Sequence, residues 1–153
     1  MNELLDDEIL DDQREAPFGK VFTEGNIIIG VLLGGPLTAT YMMSKNFYQF
    51  NNKDKGAATW IVGILYTVGL FLMSSHLLVT MRLPTLLYSI LNTTFCWIFF
   101  NIYQKQMVFD HLFAGGEKQS KWHVFAVIVI AFATVMLLSM TFFFLIDLAN
   151  TLP

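Results

Sequence analysis

Four long apolar blocks, none with an aspartate, glutamate, lysine or arginine in its interior, constrain this chain more than any other feature. They run from Asn26 to Ser44, Ala57 to Val79, Thr85 to Tyr103 and His123 to Ile146, and hold 19, 23, 19 and 24 residues. At about 1.5 Å per residue, each forms a helix of roughly 28 Å or more, enough for a hydrocarbon core of about 30 Å. A buried helix of a soluble protein would normally keep a polar stripe. The blocks therefore predict an all-α integral membrane protein, a four-transmembrane-helix bundle.

The composition agrees with this class and argues against several others. Apolar residues make up 55% of the chain and charged residues 14%, whereas soluble domains are about 25% charged. The net charge of −3 and the absence of a basic patch disfavour binding to nucleic acid. The single cysteine, Cys96, permits no intrachain disulfide. The three histidines lie near different block ends, so the sequence predicts neither a metal site nor a cofactor.

The N-terminal segment differs sharply from the rest of the chain. Residues 1–24 contain eight of the twelve carboxylates against Arg14 and Lys20. Such a segment repels itself and offers little apolar surface to bury, which predicts a flexible acidic tail. It also lacks the pattern of a cleaved secretory signal. The chain therefore divides into an acidic tail, 1–24, and a membrane domain, 25–153.

The connections between blocks predict their pairing and orientation. Only five residues separate the second and third blocks, with Pro84 placed to open the next helix, which indicates a tight hairpin. After Tyr103, apolar residues continue at helical spacing before Gly115 and Gly116, which predicts that the third helix runs on along or out of the interface and ends at a glycine cap. Six lysines lie in the two longer loops and three cationic residues on the opposite side: Lys45, Lys53, Lys55, Lys105, Lys118 and Lys121 against Arg14, Lys20 and Arg82. The positive-inside rule then places both termini outside.

The first block is interrupted at its centre by Gly34, Gly35 and Pro36. Pro36 has no amide hydrogen to donate, so a kink is expected near the bilayer midplane. One interpretation is close helix packing, because Gly30 and Gly34 form a GxxxG pair. The other is a broken helix of the transporter kind, whose free backbone groups face a small solute or ion. Whether this block crosses fully or is re-entrant is not decided by its sequence.

The third block carries the most polar face. Ser89, Asn92 and Cys96 follow at spacings that put them on one side of a helix, with Thr93 beside them. Such a face is expected to point towards other helices and away from lipid. It is either a hydrogen-bonded packing surface or one wall of a polar path.

Enzyme motifs are missing from the sequence, which contains no HExxH and no GxxxxGK[ST] and no acidic pair within a block.

The segment from Leu33 to Phe47, LGGPLTATYMMSKNF, resembles the opening segment of small bacterial inner-membrane proteins that carry a GGPL element in a first apolar helix. The resemblance implies only a bacterial cytoplasmic membrane and brings no activity. In such a membrane, the lysine count above would put both termini in the periplasm.

These observations together predict a non-enzymatic multi-pass membrane component. It would self-associate or serve as an accessory subunit of a membrane complex, so its partners are the lipid bilayer and either a second copy or another membrane protein. The alternative is a small transporter or oligomeric channel that uses the break at Gly35 and the face of Ser89, Asn92 and Cys96.

Overall fold

The structure is a computed structural model that describes residues 19–75 and 84–151. The acidic tail up to residue 18, His76, and Arg82 between the second and third blocks lie outside the described residues. The prediction of a flexible tail therefore stays a prediction.

Helices make up most of the described chain, which also contains two short strands. The elements in chain order are β1 (Lys20–Val21), α1 (Glu24–Gly34), α2 (Pro36–Gln49), α3 (Lys53–Ser75), α4 (Thr85–Tyr103), α5 (Lys105–Phe113), β2 (Glu117–Lys118) and α6 (Lys121–Thr151). The strands pair in parallel, with Lys20 opposite Glu117. The helix of the third block, α4, does not run on as predicted: it ends at Tyr103, and Gln104, with a φ of −129°, separates it from α5. The predicted glycine cap follows α5: Gly115 has a φ of +88°, which favours glycine, and the Gly116 amide donates to the His111 carbonyl at 2.9 Å.

Three described helices are long and apolar enough to span a membrane. Their candidate segments are Lys53–Met73, Thr85–Tyr103 and Lys121–Phe142, of 21, 19 and 22 residues. They correspond to the second, third and fourth apolar blocks, and the third block agrees with α4 at both ends. Their outward side chains are large and apolar, and Leu65 and Leu137 are 67% and 66% exposed. The sequence therefore predicts these three helices correctly.

The prediction of a fourth span is wrong, because the first block forms two helices that fold back on each other. The Phe22 amide donates to Asn46 Oδ1 at 2.8 Å, and Asn46 Nδ2 donates to the Phe22 carbonyl at 2.9 Å, although the two residues are 24 positions apart. In one straight helix they would be separated by about 36 Å. The chain reverses at Gly35, so α1 and α2 form a helical hairpin.

Both ends of this hairpin lie at the end of the molecule that carries the lysines, which we call the lysine side. Lys20 forms an ion pair with Glu117 at 2.9 Å, so the structure corrects its predicted position on the opposite side. Seven of the nine cationic residues thus share one side, and the other two lie outside the described residues: Lys20, Lys45, Lys53, Lys55, Lys105, Lys118 and Lys121. With three candidate spans, the described chain begins and ends on opposite sides.

The hairpin of α1 and α2 lies at the centre of the fold. Its α1 arm packs against α4 and α6, and its α2 arm packs most extensively against α3. The buried core is accordingly rich in hairpin residues, among them Ile27, Met42 and Phe47, which are at most 2% exposed. The three candidate spans are therefore held together mainly through the hairpin.

Candidate functional site: a cavity at the tip of the hairpin

A single residue joins the two arms of the hairpin. Gly35 has a φ of +76°, a region that L side chains rarely adopt, and Pro36 follows as the first residue of α2. The α1 arm has 11 residues, so at about 1.5 Å per residue the tip lies roughly 16 Å from the start of α1. This depth is about half of a hydrocarbon core of about 30 Å.

The small residues predicted to serve packing or a kink bring the two arms together. A Cβ atom added to Gly30 would lie 2.9 Å from Thr38 Cγ2 and 3.2 Å from Met42 Cε. One added to Gly34 would collide with the Thr38 hydroxyl and lie 3.1 Å from the Ile128 carbonyl oxygen of α6. Both glycines therefore allow close packing within this chain: Gly30 lies against α2, and Gly34 lies against α2 and α6.

The break also leaves backbone acceptors at the tip. Gly35 donates its amide to the Val31 carbonyl at 2.9 Å, but no described residue donates a hydrogen bond to the carbonyl oxygens of Leu32, Leu33 or Gly34. In an apolar layer an unpaired carbonyl is costly, and irregular backbone occurs there only where it is buried in protein or lines a polar cavity.

A cavity of about 480 Å³ lies at this tip. Its floor is the segment from Val31 to Pro36, and its walls come from α3, α4 and α6. Most of the lining is apolar, and the polar lining residues are Thr67, Tyr88, Ser89 and Asn92. The cavity thus brings the break in the first block beside part of the polar face of the third block.

The four predicted residues of that polar face do not share one path. Asn92 is 6% exposed and lines the cavity at the tip together with Ser89. Asn92 Oδ1 accepts a hydrogen bond from the Tyr66 hydroxyl at 2.8 Å, which joins α4 to α3. Thr93 bonds back to the Ser89 carbonyl at 2.8 Å. Cys96 instead lines a separate cavity of about 90 Å³ between α2, α3 and α4.

A network of buried side-chain amides lies at the lysine side, and sequence analysis missed it. Asn46 and Gln104 are at most 1% exposed, and Asn46 Nδ2 donates to Gln104 Oε1 at 3.2 Å. Gln104 Nε2 in turn donates to the Met43 carbonyl at 2.6 Å. Both amides stand at block ends, where a polar residue usually meets water. Their placement just outside apolar blocks was the available signal.

The β1 and α5 segments add a second layer over this network. The ring of His111 is hydrogen-bonded through Nε2 to the Gly19 carbonyl at 3.0 Å and packs edge-on against Phe50. The hydrogen bond from Lys20, together with its positive charge, lowers the pKa of Glu117. Both partners of this ion pair are exposed, so it contributes little to stability. The described segments on the lysine side are thus tied together by hydrogen bonds, and the tip cavity lies in the opposite half of the bundle.

A second, lateral opening lies between α3 and α6. It measures about 550 Å³ and is lined by apolar residues such as Ile64, Val127 and Leu138, with Tyr41 of α2 also contributing. The two helices bordering this groove meet beyond it, where Phe71 packs edge-on against Phe142 at 5.1 Å.

In comparisons with protein-family models, curated proteins and solved structures, nothing matches this chain.

Proposed function

We propose that this chain is a multi-pass membrane protein in which α3, α4 and α6 cross the bilayer. The hairpin of α1 and α2 is then re-entrant: it enters from the lysine side and turns back at Gly35. The lengths of the three helices and their exposed apolar side chains support this placement. The resemblance of the segment from Leu33 to Phe47 favours a bacterial cytoplasmic membrane, with the lysine side facing the cytoplasm.

Within that membrane, we propose that the protein binds a small polar solute or ion, as a small transporter or channel subunit. The observation that carries this proposal is the hairpin break beside the cavity: the carbonyls of Leu32, Leu33 and Gly34 have no partner among the described residues. Irregular backbone at bilayer depth occurs only where it is buried in protein or lines a water-filled cavity, and here the break lines a cavity. Broken helices of this kind form the binding sites of many transporters. The cavity would be a vestibule open from the side opposite the lysines.

Water in this vestibule predicts selective labelling of introduced cysteines. In a Cys96→Ala background, Ser89→Cys should react with a membrane-impermeant maleimide added from the side opposite the lysines, because Ser89 lines the cavity. Leu91→Cys is the matched control, since Leu91 is 56% exposed on the opposite face of the same helix, where lipid would cover it. Equal labelling at the two positions would rule out a vestibule.

The second candidate function is an accessory or self-associating subunit. The lateral groove of about 550 Å³ between α3 and α6 favours it, since another helix would fit such an apolar surface. Flux in proteoliposomes separates the two functions. A transporter or channel should make the vesicles permeable to a small solute, whereas an accessory subunit alone should leave them tight.

The re-entrant hairpin also predicts a distinctive topology. Reporter fusions at the N terminus, after Asn52 and after Gly116 should all report the same side, and fusions at Arg82 or the C terminus should report the opposite side. A complete first span would instead separate the N-terminal fusion from the one after Asn52. That result would overturn the re-entrant placement.

A further inference from the structure

We infer that the tip cavity holds a site for a monovalent cation, bound by oxygen acceptors of α1 and α4. This inference rests on the proposed membrane placement and names the ligand class for the same cavity. It goes beyond solute binding in general, because the backbone groups left unpaired at the end of α1 are hydrogen-bond acceptors.

The acceptors come first from the end of α1. Its last carbonyls, at Leu32, Leu33 and Gly34, receive no hydrogen bond from the described residues, and all three residues line the cavity. The C-terminal end of a helix carries a partial negative charge of about half an elementary charge, which favours a cation. Such half-helix ends coordinate cations in transporters with broken helices.

Side chains of α4 add further oxygens to the same wall. Asn92 is held in place at both ends of its amide, since Oδ1 accepts from Tyr66 and Nδ2 donates to the Tyr88 carbonyl at 2.9 Å. An amide oxygen has two lone pairs, so Asn92 Oδ1 can accept a second interaction from the cavity. Ser89, one turn away on α4, brings a hydroxyl to the same lining.

The donors at the tip are hydroxyl groups, which can also accept: Tyr88 and Ser89 line the cavity, and the buried Thr38 hydroxyl next to Gly34 has no hydrogen-bond partner among the described residues. Pro36 opens α2 without an amide hydrogen, and the Thr38 amide already donates to the Gly35 carbonyl at 3.1 Å. No lysine, arginine or histidine is among the described residues that line the cavity. The α2 terminus is thus a poor anion site, although helix N-termini usually favour anions.

A divalent cation also fits the lining poorly. Calcium and magnesium sites in proteins normally include at least one carboxylate, and the described lining residues contain neither aspartate nor glutamate. Neutral carbonyl, amide and hydroxyl oxygens suit a monovalent ion. In a volume of about 480 Å³, that ion would keep part of its water shell.

Equilibrium binding of ²²Na⁺ and ⁸⁶Rb⁺ to the purified full-length protein in lipid nanodiscs tests this inference. The parent should bind at least one of the two ions saturably, at one ion per chain. Asn92→Leu should weaken binding by about tenfold or more, since one polar ligand is removed. Asn101→Leu is the matched control, because Asn101 lies on the same helix and makes the same type of backbone hydrogen bond, to Trp97, away from the cavity.

Two further measurements keep the result interpretable. Asn92→Asp should tighten binding of the ion, because it places a carboxylate beside the carbonyls. In sodium or rubidium chloride the parent should unfold at a higher temperature than in choline chloride of equal ionic strength, and Asn92→Leu should lose this difference. No saturable binding by the parent, or equal weakening by Asn92→Leu and Asn101→Leu, would overturn the cation site.

The outcome for the cation site is separable from that for transport. Binding without flux in proteoliposomes would leave the site standing and refute the transporter. Flux of a neutral solute without cation binding would support the vestibule and refute the cation site.

Discussion

Replacing Asn46 with alanine is expected to lower the free energy of unfolding by about 3 kcal/mol or more. The substitution removes both hydrogen bonds to the backbone of Phe22 and the one to Gln104, and it leaves these groups buried without their partner. Each stranded buried polar group costs about 1 to 3 kcal/mol. Because Asn46 ties the start of the hairpin to its end, the loss should also loosen the whole hairpin. Denaturant titration of the protein in detergent micelles measures the change.

Asn101→Ala provides the comparison for this experiment. Its amide donates a single exposed hydrogen bond to the Trp97 carbonyl in the same helix, so the change should stay within about 0.5 kcal/mol. Accessibility of a cysteine placed at Phe22 should rise in Asn46→Ala and stay low in Asn101→Ala. If both alanine variants unfold alike, the amide network does not hold the hairpin closed.

The second large effect is expected at Gly63, where α3 crosses α2. A Cβ atom there would lie 2.7 Å from Thr40 Cβ, closer than two such atoms can approach, and it would also collide with both branches of the Thr40 side chain. Gly63→Ala should therefore force the two helices apart and destabilise the protein by about 1 to 3 kcal/mol. Thermal unfolding in detergent micelles measures the effect.

Gly69→Ala is the control on the same helix, and it should not destabilise the protein. Nothing lies within 4 Å of a Cβ atom added at Gly69. Alanine is favoured over glycine in a helix by up to about 1 kcal/mol, so this variant should be unchanged or more stable. Equal destabilisation by the two variants would contradict the close contact of α2 and α3.

The three candidate spans could be predicted from the sequence because their signal is local. The third block and α4 both run from Thr85 to Tyr103. The proline before the helix and the end of the apolar run set these bounds, and both act within a few residues. The same holds for the glycine cap after α5.

The hairpin could not be predicted in this way. An apolar run of 19 residues has the same length and composition whether it crosses the bilayer or turns back halfway. The deciding interactions are those of Asn46 with Phe22 and Gln104, at separations of 24 and 58 residues, and no local pattern reveals them. For the candidate site, the break at Gly35 and the residues Ser89 and Asn92 were predicted. Their meeting in one cavity, separate from Cys96, depends on the hairpin.

The central position of the hairpin sets an order for the biogenesis of this protein. The ribosome synthesises the hairpin before α6, which begins at Lys121, yet the α1 arm packs against α6. An arm of 11 residues is too short to insert as a span of its own. In the proposed membrane placement, α1 and α2 are therefore expected to wait at the membrane surface and to reach their final position only after α6 has been inserted.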